Sequence, residues 1–356
     1  MKNSFFAFTA IAVLLFNLVA FAAVDTRRVK PLNPQVSRLV AMLPASDMVA
    51  VFDTKRFIDD AMPKLLSANQ PMLSEAMRAI TEMETRAGID IRKFEQVVIG
   101  ASMKPGVGKK VDGDFVALAG GDINAGALVA MAKLASKGKY REEKVGETPV
   151  YVFQMKKPAT KPAPGKTARN KTSKVTSTID SMKSFDSEMA VAAIGQNTIA
   201  VGTIEKVRET IEAKSRVGTD LTDLLATRET AVMSFAAKVP AGPVGMSNFF
   251  PLDNDELGST INSIQYMSGS LDVAQAGTSL QLMARTAKPE QALALKDTLE
   301  ALQILGKGFL GNSKRPDQQV FGRMVKNAKI ASQANDVTLD LTVPQADIDV
   351  LVARIK

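Results

Sequence analysis

Apolar positions along the chain recur with two periods, one of two residues and one near 3.6, and the two alternate along its length. DMVAVFD (Asp47–Asp53) follows the turn residues Pro44-Ala45-Ser46 and reads as a strand. From Asp59 to Ala87 the apolar positions Met62, Leu65, Leu66, Met72, Leu73, Met77, Ile80 and Met83 recur at helical spacing, and Pro71 is expected to break or kink the run. FEQVVIGASM (Phe94–Met103) and DFVALAG (Asp114–Gly120) predict a strand pair. Ile123–Ala135 predicts a helix with Asp122 as its cap. KYREEKV and PVYVFQM predict a hairpin about Gly146-Glu147-Thr148, the first strand charged as a solvated edge requires. AVAAI and TIAVG flank Gly195-Gln196-Asn197, and TIEKVRETIEA follows as a helix with Ile204, Val207 and Ile211 on one face.

The second half replays this order. AVMSFAAKV (Ala231–Val239) resembles the opening strand, and INSIQYMSGSLDV with GTSLQLMART resembles the Phe94–Gly120 pair. PEQALALKDTLEALQIL then predicts a helix with Pro289 in its first turn. KIASQANDVTLDL echoes the Met189–Val201 hairpin, with its turn at Asn335-Asp336, and PQADIDVLVARI closes with a helical face of Ile348, Leu351, Val352 and Ile355. The expectation is an α+β protein made of a duplicated unit, each copy a mainly antiparallel sheet covered by helices on one face. Residues 23–215 form the first unit and 216–356 the second.

One stretch obeys neither period. Lys156 to about Ser184 is rich in Lys, Pro and Thr and nearly free of large apolar side chains, the composition of a disordered insertion. Strands flank it on both sides, so it interrupts a domain and does not link two. It also explains the charge. Between Met155 and Ser187 eight Lys or Arg stand against Asp180 and Asp186, so +6 of the formal +8 lies there. The folded body is near neutral and gives no sign of a nucleic-acid groove. Lys156, Lys157, Lys161, Lys166, Arg169, Lys171 and Lys174 are the candidate contacts to an anionic partner, an envelope polymer or lipid headgroups.

Residues 1–22 read as a secretory signal peptide. A positive start precedes the uncharged run Phe5–Phe21, and Ala20-Phe21-Ala22 fits a cleavage site. The run falls short of the about 20 residues of a membrane span, and no later segment is long and apolar enough for one. A periplasmic or extracellular protein is expected, with an uncleaved anchor as the rival reading.

Composition closes several chemistries. The chain has no Cys and no His. Thiolate nucleophiles, Cys-bound metals and the usual general base near neutral pH are therefore excluded. Gly165-Lys166-Thr167 lacks the upstream Gly of a phosphate-binding loop, because position 160 is Thr. Asp253-Asn254-Asp255-Glu256-Leu257-Gly258 starts like a calcium loop but has Ile264 where the bidentate Glu belongs, and reads as an acidic turn. Asp112-Gly113-Asp114 reads as turn chemistry. Ser136-Lys137-Gly138-Lys139 matches S-x-x-K without its partner motifs. Asp53, Asp59, Asp60 and Glu75 are the carboxylates from which a catalytic pair could be drawn, although caps and solvated faces explain them as well. Asn170-Lys171-Thr172 has the form of a glycan acceptor.

LLSANQPML (Leu65–Leu73), KGKYREEKVGE (Lys137–Glu147), VRETIEAKSRV (Val207–Val217) and LDNDELG (Leu252–Gly258) resemble segments of a family of uncharacterised secreted bacterial proteins of acidobacterial type. The resemblance implies an envelope or extracellular setting and offers no established activity, ligand or catalytic residue to carry over; no cofactor is expected. A non-catalytic binding or envelope-associated scaffold is the expected function. The alternatives are a hydrolase using carboxylates or a divalent metal, and an inhibitor or chaperone-like factor. Oligomeric state is not legible.

Overall fold

A computed structural model describes residues 33–105, 111–154, 188–225, 231–240, 255–311 and 313–355. The first helix, α1 (Pro34–Met42), is capped by Asn33, whose Oδ1 accepts from Gln35 N, and carries Pro in its first turn. It is followed by β1 (Met48–Asp53) and a helical stretch of three pieces, Thr54–Arg56, a π-helical turn Phe57–Ala61, and Met62–Leu65. The chain breaks there and restarts as α2 (Gln70–Ala87), capped by Asn69. The break expected near Pro71 is present, with the proline in the first turn of the new helix, where a missing N–H does no harm. Next come β2 (Phe94–Pro105), β3 (Val111–Gly121), α3 (Ala125–Ala135), β4 (Tyr140–Val145), β5 (Thr148–Gln154), β6 (Glu188–Ala193), β7 (Thr198–Gly202) and α4 (Ile204–Glu212). The remainder is a short helix Thr219–Thr222, β8 (Ala231–Lys238), α5 (Asp255–Asn262), β9 (Ile264–Ala274), β10 (Gly277–Thr286), α6 (Pro289–Gly311), α7 (Pro316–Asn327), β11 (Lys329–Gln333), β12 (Asp336–Pro344) and α8 (Gln345–Val352).

The architecture is α+β. All twelve strands among the described residues join one antiparallel sheet in the order β11-β12-β10-β9-β8-β1-β2-β3-β7-β6-β5-β4. Two separate sheets were expected, and this is a correction. β1 pairs β2 on one side and β8 on the other, with Val51 opposite Ser234, so the two halves share hydrogen bonds and two would-be edges vanish. The charged β4 is an edge of this sheet, as its sequence predicts.

A single row of directly opposed residues crosses the whole sheet, one from each strand: Glu143, Val150, Ala192, Ala200, Leu118, Val98, Val51, Ser234, Ser270, Gln281, Asp340 and Lys329. Opposed residues share a face. The row itself is apolar from β5 to β1 and polar from β8 to β11. In the first half this face packs under α1, α4 and the Leu221–Leu225 stretch, through Leu39, Leu43, Val207 and Leu225. The opposite face of the first half packs under α3 through Ile123, Ala125 and Val129. The second half buries that opposite face, where Leu271, Leu280, Leu341 and Val343 meet the Phe57–Leu66 helices, α2 and α8, while the first face stays buried over β8 and β9 at Ser234, Ala236, Ser268 and Ser270. Ile264, Ala292, Leu295 and Val337 extend this layer beneath α6. Helices on one face were expected throughout; the first half has them on both.

Smaller differences have local causes. The cap of α3 is Asn124, whose Oδ1 accepts from Ala127 N at 2.9 Å, in place of Asp122. Asp112-Gly113-Asp114 lies within β3, not in a turn. The β11–β12 turn falls at Ala334-Asn335, where Ala334 adopts φ +50°. α7 has no counterpart in the sequence reading.

Candidate functional site

Where β1 ends, Asp53 turns its carboxylate back over the next helix, and Oδ1 accepts from Arg56 N at 2.8 Å. This is an N-cap, and it fixes the direction in which the following residues project. Lys55, Arg56, Asp59 and Asp60 then line one wall of an open cleft of about 380 Å³. The other wall is Asn33 and Gln35 from the start of α1 and Glu95 and Gln96 from the start of β2.

Glu95 reaches the cleft because β2 is irregular there. Phe94 opposes Gly121 and Gln96 opposes Gly120, so Glu95 is an extra, bulged residue. The partner strand must come close at this point. A Cβ on Gly121 would sit 2.1 Å from Lys93 O and 2.6 Å from Glu95 N.

Four carboxylates and two cations therefore face one concavity. Most of the acids have partners. Asp59 pairs with Lys55 at 3.0 Å, and that hydrogen bond is the main reason the Lys55 ammonium lies above its ordinary pKa. Asp60 pairs with Lys64 at 2.6 Å and lies 4.0 Å from Arg56 Nε. Arg56 reaches across to the second half of the sheet. Its Nη2 donates to Asp272 Oδ1 at 2.6 Å and to Val273 O at 2.9 Å, while Nη1 is buried without a hydrogen-bond partner among the described residues. Among the described residues no group of three or more Asp or Glu is placed to hold a metal ion.

Of the sequence candidates, Asp53, Asp59 and Asp60 come together here, whereas Glu75 sits exposed on α2 and does not line the cleft. Glu95, Gln96, Asn33 and Gln35 were not anticipated. A bulge depends on the register of two strands, and only the Gly120-Gly121 pair hints at it. Ser136 ends α3 and donates to Lys133 O at 2.7 Å, a capping role. Asp255–Gly258 opens helix α5, so the calcium-like stretch is not a continuous loop. Lys156, Lys157, Lys161, Lys166, Arg169, Lys171 and Lys174 lie outside the described residues, as do residues 1–22 and Gly165-Lys166-Thr167. The strands that bracket the basic segment are neighbours, with Gln154 opposite Glu188. No described helix is long and apolar enough to cross a membrane.

No protein-family model matches this chain, and no curated protein sequence does. Solved structures similar to it include three crystal forms of a protein designated TP0453. Form I is 10% identical at a TM-score of 0.42, covering 88% of this chain and 96% of that one. Form III is 10% identical at 0.43, covering 89% and 98%. Form IV is 9% identical at 0.43, covering 92% and 97%. Likeness this distant leaves the function of the chain to its own residues.

Proposed function

We propose that this chain is an exported, non-catalytic binding scaffold of the bacterial envelope or its surroundings, akin to the secreted family it resembles. The observation that carries the reading is the partnering within the cleft. Asp53 is committed to a helix cap, Asp59 to Lys55 and Asp60 to Lys64. Carboxylates held this way maintain local structure and keep their charge balanced. General acid–base chemistry needs instead a pair whose environments push their proton affinities apart. A cleft lined by amide, carboxylate and ammonium groups suits reversible polar recognition.

The test is titration of the full chain with Mg²⁺ or Ca²⁺ by calorimetry, with melting followed in parallel. The scaffold reading expects neither saturable heat nor a rise in Tm. Saturable binding abolished by Asp53→Asn with Glu95→Gln would turn the reading toward the metal-assisted hydrolase. That second reading draws its support from Glu95, which the bulge brings into the same cleft as Asp53. Export is tested by sequencing the N-terminus of the protein from its host. A cytoplasmic chain retaining residues 1–22 would remove the envelope from the proposal.

Two further features belong to this reading. The first is duplication. β1-β2-β3 and β8-β9-β10 are both meanders followed by helix, and a later hairpin returns its second strand to the third of the meander, β7 to β3 after the additional hairpin β4–β5 and β12 to β10 directly. The second is the basic segment 156–184 as a tethered arm whose composition disfavours packing and whose cations contact anionic polymers. The adjacency of Gln154 and Glu188 supports an insertion at the tip of one strand pair. Deleting 156–184 and measuring binding to envelope fractions at low and high salt tests the arm. Unchanged binding would leave it a spacer.

A further inference from the structure

The last three turns of α6 depart from the amphipathic pattern of its first turns. Its first turns bury Ala292 and Leu295 against the sheet. After Glu300 the outward face is also apolar. Leu302, Ile304, Leu305 and Phe309 are exposed, Ile304 at 68% and Phe309 at 83%, and Phe321 of α7 adds a fifth exposed apolar side chain. Between Ala301 and Gly311 the one charged residue is Lys307. Amphipathic packing against a sheet requires an apolar inner face and a polar outer one. Here the outer face is apolar as well, and Ile304 and Phe309 remain exposed on it.

The helix is held firmly while presenting that face. Gly306 faces Val325, and a Cβ there would lie 3.1 Å from Val325 Cγ1. Gln303 Nε2 donates to Val325 O at 2.8 Å and to Ala328 O at 2.6 Å. The α6–α7 pair is thus a braced projection.

Three observations decide what it meets. An exposure of 83% at Phe309 is that of a projecting side chain, not of a groove wall, so a docked peptide or helix finds no channel. Five such side chains offer a few hundred Å² at most, short of the roughly 800 Å² per partner of a stable dimer. The third is charge. Lys307, Lys314 and Arg315 are exposed around this end, and Lys307 and Lys314 make no ion pair among the described residues. An apolar helix end rimmed by free cations is the pattern of an interfacial anchor: apolar side chains enter the acyl boundary while ammonium groups remain at anionic headgroups. We infer that the C-terminal end of α6, with Phe321, rests on an anionic lipid bilayer surface. This partner is engaged by a surface separate from the cleft, and it stands whether or not the cleft binds anything.

The absence of Trp makes the test direct. Phe309→Trp in the full chain introduces one Trp at the predicted contact, and Leu134→Trp places one on exposed α3 of the other half as a reference for general association. Emission is followed on adding phosphatidylcholine vesicles with and without phosphatidylglycerol. The expected result is a shift to shorter wavelength for Phe309→Trp with phosphatidylglycerol vesicles, weak with phosphatidylcholine alone, and none for Leu134→Trp. Adding Lys307→Gln and Lys314→Gln is expected to weaken partition by about thirtyfold, from two lysines each contributing at the headgroup surface. No shift at Phe309→Trp overturns the inference. Equal shifts at both positions overturn it too, because association then runs through another part of the chain. A shift that needs no vesicles and grows with protein concentration assigns the patch to a second copy and overturns it as well.

Discussion

The two halves of the sheet each open with a three-stranded meander, but they differ in strand number, β1–β7 against β8–β12 among the described residues, and in layering. In the first half both faces are buried. β3 and β7 read VALA and IAV, apolar at consecutive positions, and helices cover each side. In the second half β12 reads VTLDLTV, alternating strictly, and only the Val337–Leu339–Leu341–Val343 side lies in the core. The row running from Val150 to Lys329 therefore changes character at the β1–β8 seam, where Val51 faces Ser234. The lesson is that strand pairing and layer number are set by separate features. Pairing follows hairpin connection and backbone hydrogen bonds, while layer number follows whether one or both side-chain parities are apolar.

Substitution can break this contrast, starting with the row itself. Leu118 and Ser270 lie on the same face of the one sheet in different halves, and Leu118 is fully buried. Leu118→Ala is expected to lower unfolding free energy by about 2–5 kcal/mol, through lost transfer energy and a cavity. Ser270→Ala should change it by no more than about 1 kcal/mol. Urea denaturation compares them, and equal losses would show that the polar face of the second half is packed as tightly as the apolar face of the first.

Gly121 fixes the bulge that carries Glu95. Gly121→Ala must move backbone, since its Cβ would overlap Lys93 O, and the expected loss is about 1–3 kcal/mol. A Tm unchanged from the parent would mean the bulge relaxes freely. At the seam, Asp272→Asn weakens the charged hydrogen bond from Arg56 that ties the post-β1 helix to β9, with an expected loss of about 1–2 kcal/mol. A loss much below that would leave the link to β1–β8 pairing and to the apolar packing of the Phe57–Leu66 helices.

The smallest effect concerns acid. Lys238, hydrogen bonded to Asp220, is the largest influence holding the Asp220 carboxyl below its usual range, with Tyr266 Oη–H contributing. A depressed folded-state pKa stabilises the protein above the unfolded carboxylate value, and the contribution fades as pH falls through the folded one. Both groups are more than a third exposed, so solvent screening keeps the effect modest. Asp220→Asn should therefore melt slightly below the parent at neutral pH and coincide with it in strong acid. A difference that widens toward low pH would contradict the sign.

Much of this architecture is written in local pattern. The hairpins β4–β5 and β6–β7, the charged edge, the proline restart of α2 and the α+β class all follow from periods of two and 3.6 and from turn residues. α7 escapes because PDQQVFGRMVKN has a Gly in mid-run and a sparse apolar face, and it is stabilised by packing on α6. The cleft was half visible. Asp53, Asp59 and Asp60 lie close in sequence, whereas Glu95 and Asn33 reach them only through strand register and the placement of α1.

By itself, the sequence determined which residues alternate, where helices begin, and that neither imidazole nor thiol chemistry is open to this protein, because each depends on residue type and near neighbours. Tertiary structure alone decided that two expected sheets are one, that helices cover the first half on both faces, and that an apolar helix end is left projecting. Those outcomes depend on which surfaces meet between segments far apart in the chain, as β1 and β8 do, and no local period encodes that meeting.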